Sequence, residues 1–251
     1  MLNYEYTKNT NPTLVLLHGF MENLTIWEDM QEQLLKKFSL LKIDLPGHGK
    51  SEVLAEIHTM ELMAEEVKKV IDHENLEKVH LLGHSMGGYT SLAFAEKYSE
   101  KLESLTLFFS TYFADDEEKK EQRRKSFRII KDAFSHYVNA GIANLFNPNE
   151  ADELKDKISL AKEVALTTNN LGALASVKGM IERPDRATVL QNFEKKILVI
   201  AGNHDNAVNT KSTISNLPDK KNIKAYVLEC GHNGHWEKPS ICAEIINSEL
   251  G

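Results

Sequence analysis

A serine lies between glycines directly after an apolar run. Residues 79–82 lead into Gly83-His84-Ser85-Met86-Gly87, and an apolar pattern typical of a helix follows. A G-x-S-x-G pattern between a strand and a helix indicates a sharp turn that exposes a nucleophilic serine, because crowding at the flanking positions favours glycine. Alternatively, Ser85 only caps the following helix. The apolar run before the motif and the helical pattern after it favour the nucleophile.

An acid and two histidines stand where partners of this serine would be needed. A serine hydroxyl requires a base to take its proton, and a third group must hold that base in the correct tautomer. Asp205 follows an apolar run, and a later glycine-rich loop carries His232 and His235. Each residue alone has an ordinary structural explanation, such as a turn aspartate or a surface histidine. The order serine, acid, histidine favours a catalytic triad.

The first apolar run, residues 14–17, ends at His18-Gly19-Phe20. The negative oxygen of an acyl-transfer intermediate needs backbone N–H donors, each typically worth about 3 kcal/mol in transition-state stabilisation. We expect the N–H groups of Phe20 and Met86 to serve as these donors. Taken alone, the segment would be an ordinary turn at the end of a strand.

Metal and phosphate sites are the competing interpretations. His232 and His235 are three residues apart and His204 precedes Asp205, but the sequence has no compact ligand set such as H-E-x-x-H. The glycine-containing segment 46–51 lacks the spacing of a phosphate-binding loop and its helix context. We therefore predict neither a metal site nor a cofactor.

The surrounding apolar patterns predict the elements that must position these residues. Short runs rich in Leu, Val and Ile are typical of strands buried on both faces, and between them apolar residues recur three or four apart, as in helices. This alternation predicts an α/β fold with a mostly parallel sheet of about seven to eight strands flanked by helices. The predicted strands are residues 14–17, 40–43, 79–82, 102–109, 197–201 and 225–228, and the clearest helices are 26–38, 60–71, 89–98 and 241–250.

The alternation stops between residues 112 and 188, where helix-like patterns occur without a convincing strand. We interpret this stretch as an inserted helical cap that enters and leaves on one side of the sheet, with 1–111 and 189–251 forming the core. The charged run 115–125 is predicted to be a solvated helix face.

Composition limits the partners. The 251 residues carry a formal net charge of −7, which disfavours binding to nucleic acid or to anionic membranes. Neither a secretory signal nor an apolar run of membrane-spanning length is evident. Two cysteines, Cys230 and Cys242, are too few for a disulfide framework, so we expect a reducing, cytoplasmic location, with a single bridge left open. The expected partner is a small molecule, and the sequence carries no signal of oligomeric state.

Five motifs together resemble the α/β-hydrolase superfamily, in particular its small lid-bearing esterases and C–C hydrolase-like members. The resemblance implies Ser85 as nucleophile, Asp205 as acid and the N–H groups of Phe20 and Met86 as oxyanion hole. The family pattern places the histidine after a glycine and five residues before a glutamate, which implies His232 rather than His235. The matching segments are residues 16–20, 44–51, 83–88, 202–205 and 231–239. Because only residues 2–7 can form a strand before the first motif, one edge strand of the family's eight is expected to be absent.

The predicted function is hydrolysis of a small or medium carboxylic ester through an acyl-enzyme. Two alternatives remain open: cleavage of a C–C bond or a menaquinone-pathway type of elimination on the same triad, and a ligand-binding receptor on a hydrolase scaffold. Basic residues in or near the cap could hold a carboxylated substrate, although a role in surface solubility is favoured for them. These residues are Arg123, Arg124, Arg128 and Lys131. Core packing is favoured for the apolar residues of the cap: Phe127, Ile130, Phe134, Tyr137, Leu145 and Phe146.

Overall fold

The computed structural model describes residues 1–251 as a seven-stranded sheet with helices on both faces. The strands are β1 (Tyr4–Thr7), β2 (Thr13–Leu17), β3 (Ser39–Ile43), β4 (Val79–His84), β5 (Leu102–Phe108), β6 (Lys196–Gly202) and β7 (Ile223–Leu228). The α-helices are α1 (Glu28–Leu34), α2 (Met60–His73), α3 (Met86–Tyr98), α4 (Glu117–Gly141), α5 (Lys155–Leu166), α6 (Asn170–Glu182), α7 (Ala187–Asn192), α8 (Thr210–Ser215), α9 (Gly234–Glu237) and α10 (Pro239–Leu250). Short 3₁₀ turns occupy Leu24–Trp27, Ser99–Lys101, Ile142–Leu145 and Pro148–Glu150.

The sheet has the order β1-β3-β2-β4-β5-β6-β7, and only β1 runs antiparallel to its neighbour. This topology confirms the predicted α/β class and the mostly parallel sheet. Because β2, β4 and β5 are parallel neighbours with Leu17 opposite Gly83 and Gly83 opposite Leu107, their carboxyl ends meet at one edge. The segments that follow these strands are therefore brought together, as expected for ligand sites in parallel sheets.

Burial of the strands follows their position in the sheet. Every residue of β2 and β3 is buried, as their continuous apolar sequence predicts. The prediction of burial on both faces is wrong for β7, where Val227 is 47% exposed. Because β7 is an edge strand, part of its surface has no covering layer.

Two helix boundaries differ from the sequence pattern. The predicted helix 26–38 is divided into a 3₁₀ turn and α1, which ends at Leu34. By contrast, α3 begins at Met86, immediately after the serine, and so includes both glycines that follow it. The expected nucleophile is therefore at the amino end of a helix.

Between β5 and β6 the chain forms only helices and turns. The two ends of this excursion meet, because the Arg186 N–H donates to the Tyr112 carbonyl at 2.8 Å. The longest helix, α4, is interrupted at Ala133 by non-helical backbone angles (φ −150°, ψ 53°). None of the helices combines the length and the apolar character that crossing a bilayer demands.

Candidate active site

Ser85 occupies a tight turn with positive φ (φ 49°, ψ −113°). Such a backbone conformation is costly for a residue with a side chain and needs surrounding contacts to hold it. The Ser85 N–H donates to the Phe108 carbonyl at 3.0 Å, and the Ser110 hydroxyl donates to the Ser85 carbonyl at 2.8 Å. A Cβ on Gly83 would lie 2.1 Å from the Gly87 carbonyl oxygen, which explains the glycines around the serine.

The structure brings His232 and Asp205 together. The His232 Nδ1–H donates to Asp205 Oδ2 at 2.7 Å, while Asp205 Oδ1 accepts the N–H groups of Ala207 and Val208 at 2.8 and 2.9 Å. With Nδ1 protonated, the other ring nitrogen of His232 is left as the basic one. This is the tautomer that a general base requires.

The pKa values of His232 and Asp205 each shift in the direction opposite to the one that burial alone would produce. Burial disfavours the imidazolium, but the charge of Asp205 and the hydrogen bond to it raise the pKa of His232 above its ordinary value. Burial likewise opposes ionisation of Asp205, but His232 and two backbone N–H groups lower its pKa. The pair is therefore suited to stabilise a protonated His232.

Ser85 and His232 line one cavity of about 270 Å³. The hydrogen bond of His232 is to Asp205, and the Ser85 hydroxyl and the His232 ring face the same space without a direct hydrogen bond between them. Phe20 lines the same cavity, and the Met86 N–H at the first position of α3 has no intrahelical acceptor. The sequence-predicted nucleophile, base and oxyanion-hole segments thus converge on one space.

A larger, more open groove of about 1230 Å³ borders this cavity on the outer side of Asp205. Lys119 and Ala207 line both the cavity and the groove. The Lys119 Nζ donates to the Ala207 carbonyl oxygen at 3.2 Å, where the two spaces adjoin. Because the smaller cavity alone contains Ser85 and His232, it is the candidate for chemistry.

Two cations of α4 face the cavity that contains Ser85. Lys119 and Arg123 both line it, and burial together with the nearby charge of Arg123 lowers the pKa of Lys119. The expectation of a surface role is therefore wrong for Arg123, although Arg124, Arg128 and Lys131 are exposed. The spacing of charged residues along a helix does not show which side of the helix faces the rest of the protein. Sequence alone therefore could not show that Arg123, unlike the other three basic residues, faces the cavity.

A buried ion-pair cluster anchors Arg123. Its Nε donates to Asp115 Oδ2 at 2.5 Å, and Arg183 donates to the other oxygen, Oδ1, at 2.7 Å. Asp115 is buried, so the prediction of a wholly solvated face for 115–125 is wrong at this position. The Arg183 guanidinium also lies 4.0 Å from the centre of the Tyr89 ring. One carboxylate thus faces two arginines beside the cavity.

The apolar cap residues all contact the hydrophobic core, as expected, and two of them also line the cavity. Tyr137 and Leu145 pack against the core and in addition border the cavity, which the sequence did not predict for them individually. Ile130 and Phe146 are buried in the hydrophobic core, and Phe127 and Phe134 pack against it, as expected. Because α4 is interrupted at Ala133, residues on both sides of the interruption reach the cavity.

The structure separates the histidines that the sequence grouped. His204 lies near the exposed Glu229, whereas His235 is fully buried beside Glu22 and His84. Possible ligand atoms of Glu22, His84 and His235 lie within 4.8 Å of one another, a combination that spacing did not reveal. Both nitrogens of His84 already have hydrogen-bond partners, as does the Glu22 carboxylate. Glu22 and His84 are thus joined by hydrogen bonds, whereas neither ring nitrogen of His235 has a hydrogen-bond partner.

The two cysteines are free and buried, which answers the question of a bridge left open by the sequence. Burial raises the pKa of the Cys242 thiol to about 12 and raises that of Cys230 as well. Thiols of this kind are poor nucleophiles at neutral pH because the thiolate is the reactive form. Ser85 is therefore not in competition with a reactive cysteine.

Comparison with known proteins places this geometry in context. A family profile described as "alpha/beta hydrolase fold" matches residues 12–239. The 2-succinyl-6-hydroxy-2,4-cyclohexadiene-1-carboxylate synthase of Enterobacter sp. (strain 638) is 26% identical, with 94% of this chain and 90% of the relative covered. A thermophilic esterase from Thermogutta terrifontis, solved with malate bound, is 29% identical, with 99% and 92% covered and a TM-score of 0.92. The enol-lactonase from Burkholderia xenovorans LB400 is 21% identical, with 99% and 96% covered and a TM-score of 0.91.

Proposed function

The chain belongs to the α/β hydrolase family, and from that premise we propose that it hydrolyses a small or medium carboxylic ester through an acyl-enzyme at Ser85. The observation that carries the proposal is the His232–Asp205 hydrogen bond at 2.7 Å, which leaves the basic nitrogen of His232 free in the cavity that Ser85 lines. The esterase among the similar structures supports it.

In the proposed reaction His232 takes the proton of Ser85 as its Oγ attacks the ester carbonyl. Asp205 stabilises the imidazolium that forms, because its carboxylate is fixed by the Ala207 and Val208 N–H groups. His232 then gives the proton to the leaving alcohol. In the second half, His232 activates a water molecule that releases the acyl group from Ser85.

The negative oxygen of both tetrahedral intermediates would accept the N–H groups of Phe20 and Met86. Met86 begins α3, so the positive end of that helix also favours the developing charge. A Cβ on Gly87 would lie 2.5 Å from the Leu17 carbonyl oxygen, a close approach that brings the loop after β2 against the helix. The two donors come from different elements, and this packing fixes their separation.

The proposed substrate is a small molecule that the segment 112–188 covers as a cap on a core of 1–111 and 189–251. A cavity of about 270 Å³ lies just below the usual range for drug-sized ligands, which favours a short acyl or alcohol group. The free, buried cysteines support a reducing compartment such as the cytoplasm.

A second candidate function uses the same triad on an acidic substrate, by C–C cleavage or by elimination. The presence of Lys119 and Arg123 in the cavity favours it, since both can donate charge-assisted hydrogen bonds to a carboxylate. The similarity to a synthase named for a carboxylated ring compound and to an esterase solved with malate bound points the same way. An ester that carries a carboxylate would satisfy both candidates.

The test is turnover of activated esters of increasing acyl length, neutral and carboxylated, by the parent and by Ser85→Ala and His232→Ala. We expect hydrolysis by the parent alone. Silence toward all esters, with Ser85 still labelled by an organophosphonate, would favour the second candidate. Silence without labelling would overturn both and favour a ligand-binding role. Turnover unchanged in Ser85→Ala would overturn the assignment of the nucleophile.

A further inference from the structure

On the wall of the candidate cavity, a largely buried carboxylate and an imidazole connect three segments of the proposed machinery. Glu22 belongs to the loop that follows β2, here called the oxyanion loop (residues 18–22), and His84 directly precedes Ser85. Glu22 Oε2 lies 2.8 Å from His84 Nδ1, and the other nitrogen of His84 lies 3.0 Å from the His232 carbonyl oxygen. Neither residue has a step in the proposed reaction.

We propose that Glu22 and His84 form an ion pair that fixes the oxyanion loop and the backbone of His232 relative to Ser85, and that both are positioning residues for the reaction. The inference rests on the proposed function, because the reaction at Ser85 is what they position.

The hydrogen bonds around His84 determine its protonation. A neutral imidazole carries one N–H, but both nitrogens of His84 face oxygen atoms. The His232 carbonyl can only accept. Glu22 Oε2 also accepts the Gly19 N–H at 2.6 Å, which favours the ionised carboxylate. Both nitrogens of His84 therefore face acceptors, which is the arrangement that the proposed ion pair requires.

The electrostatics of Glu22 agree with this geometry. Burial alone would raise its pKa, but the charge of His84, its hydrogen bond and the Gly19 N–H hold the pKa of Glu22 well below its ordinary value. An unpaired carboxylate at this depth would be strongly destabilising, so the partner is part of the design of the site.

The packing around Gly19 shows how tightly the three segments are joined. A Cβ on Gly19 would lie 2.8 Å from Glu22 Oε2, 2.8 Å from His84 Nδ1 and 3.2 Å from the Ser85 Cβ. Any side chain at this position would push the oxyanion loop away from the serine. The loop that presents the Phe20 N–H is thus held against the nucleophile and the ion pair together.

On the side away from the cavity, His235 and aromatic rings pack around the pair. The His235 ring centre is 4.7 Å from that of His84, and its Nε2 is 3.7 Å from Glu22 Oε1. Burial lowers the pKa of His235 well below its ordinary value, so this ring is neutral. Trp27 and Phe108 lie on its other sides, with ring centres 6.0 and 6.4 Å away. Hydrogen bonds in such surroundings are strong and geometrically well defined.

Displacement of either segment would act on the transition state. Misplacing a catalytic group by about 1 Å can cost about 100-fold in rate. A lost pair would move the Phe20 N–H and the His232 backbone, which matter when charge develops, while the cap side of the cavity, formed in part by Lys119, Arg123 and Tyr137, would stay in place. The expected signature is a fall in kcat with little change in KM.

The first experiment measures the protonation of His84 by ¹⁵N NMR of histidine-labelled protein at pH 8, with His84→Gln for assignment. We expect both ring nitrogens of His84 to be protonated in the parent, and Nδ1 to lose its proton in Glu22→Met, which offers neither a charge nor an acceptor. A neutral His84 in the parent would overturn the ion pair. Stoichiometric zinc that keeps His84 as a ligand in the purified protein would also overturn it.

The second experiment compares Glu22→Met with Glu22→Gln, whose amide oxygen can still accept from both the Gly19 N–H and the His84 Nδ1–H. Here kcat is expressed per site that an organophosphonate can label. We expect Glu22→Met to lower this kcat about 100-fold, with KM within about threefold of the parent. We expect Glu22→Gln to restore most of the lost kcat. Glu229→Gln is the matched control, because it removes a carboxylate from an exposed histidine contact nearby and should leave kcat unchanged.

Counting reactive sites separates positioning from folding, since unfolded chains are not labelled. A Glu22→Met kcat within threefold of the parent, per reactive site, would overturn the positioning role. An inactive and unlabelled parent would instead overturn the proposed function, while the NMR result decides the ion pair without any turnover.

Discussion

Two helices border the candidate site, and they are held in different ways. Ten of the 13 residues of α3, which begins directly after Ser85, are buried. In α4, which brings Lys119 and Arg123 to the cavity, only Ile130 and Val138 of 25 residues are buried. The nucleophile is thus attached to the hydrophobic core, whereas the cations are attached through ion pairs and a few apolar contacts.

The difference suggests a division of labour. Contacts of α3 are set by packing, so changes there should affect folding and the chemical step together. Few residues of α4 are fully buried, and its cations face the cavity, so changes there should alter which substrate binds while leaving the chemistry intact. The following predictions test this division, from the largest expected effect to the smallest.

The largest effect is expected at the acid of the core. Asp205→Asn should lower kcat about 10⁴-fold, because an amide cannot hold His232 in the basic tautomer. KM should change little, since Asp205 does not hold the substrate. Steady-state kinetics check this, with the exposed Asp219→Asn as control. A loss of less than tenfold would contradict the assignment of Asp205.

Stability should distinguish the two helices next. Phe94 of α3 is fully buried, so Phe94→Ala should lower the free energy of unfolding by about 3–5 kcal/mol. Ile129 of α4 is 43% exposed, and Ile129→Ala should cost less than about 1 kcal/mol. Urea unfolding measures both. Similar losses would show that α4 is as firmly packed as α3.

Substrate choice should respond to α4. Arg123→Met should raise KM for a carboxylated ester about 10- to 100-fold, the effect of losing a charge-assisted hydrogen bond. Neutral esters should be little affected, and Asp115 should keep its partner Arg183. The exposed neighbour Arg124→Met is the control. An equal rise in KM for neutral and acidic esters would remove the case for a carboxylate site.

The smallest expected effect is a shift in the pH dependence of kcat/KM, in which Lys119 of α4 acts on His232. The base must be neutral to act, and the pKa of His232 is raised, so kcat/KM should fall as pH decreases through a midpoint above 6.5. The charge of Lys119 lowers that pKa, so Lys119→Met should move the midpoint to higher pH. A pH profile of kcat/KM measures the shift, and a downward shift would contradict it.

The sequence was sufficient where local chemistry and topology determine the structure. Ser85 and Asp205 each follow a parallel strand, and the carboxyl ends of such strands meet at one edge, so their approach could be predicted from order alone. The sharp turn at Ser85 could be predicted from the glycines around it, because such a turn leaves no room for a Cβ at those positions. The catalytic roles of these residues remain predictions that the experiments above test.

Other features depend on tertiary contacts that leave no periodic signal. Glu22 and His84 are 62 positions apart, and neither matches a motif that predicts their contact. Arg123 and Arg124 have the same chemistry, and only the orientation of α4 places one in the cavity and the other in solvent. Burial of β7 was overestimated because composition does not show which strand will be last in the sheet.

The hydrogen bond from the Arg186 N–H to the Tyr112 carbonyl has a consequence for how such chains can diversify. Because the excursion between β5 and β6 leaves and returns at neighbouring points, its length and sequence can change without altering the path of any strand. Recombination at these two positions would exchange the whole segment between homologous proteins, and Ser85, Asp205 and His232 would be inherited unchanged.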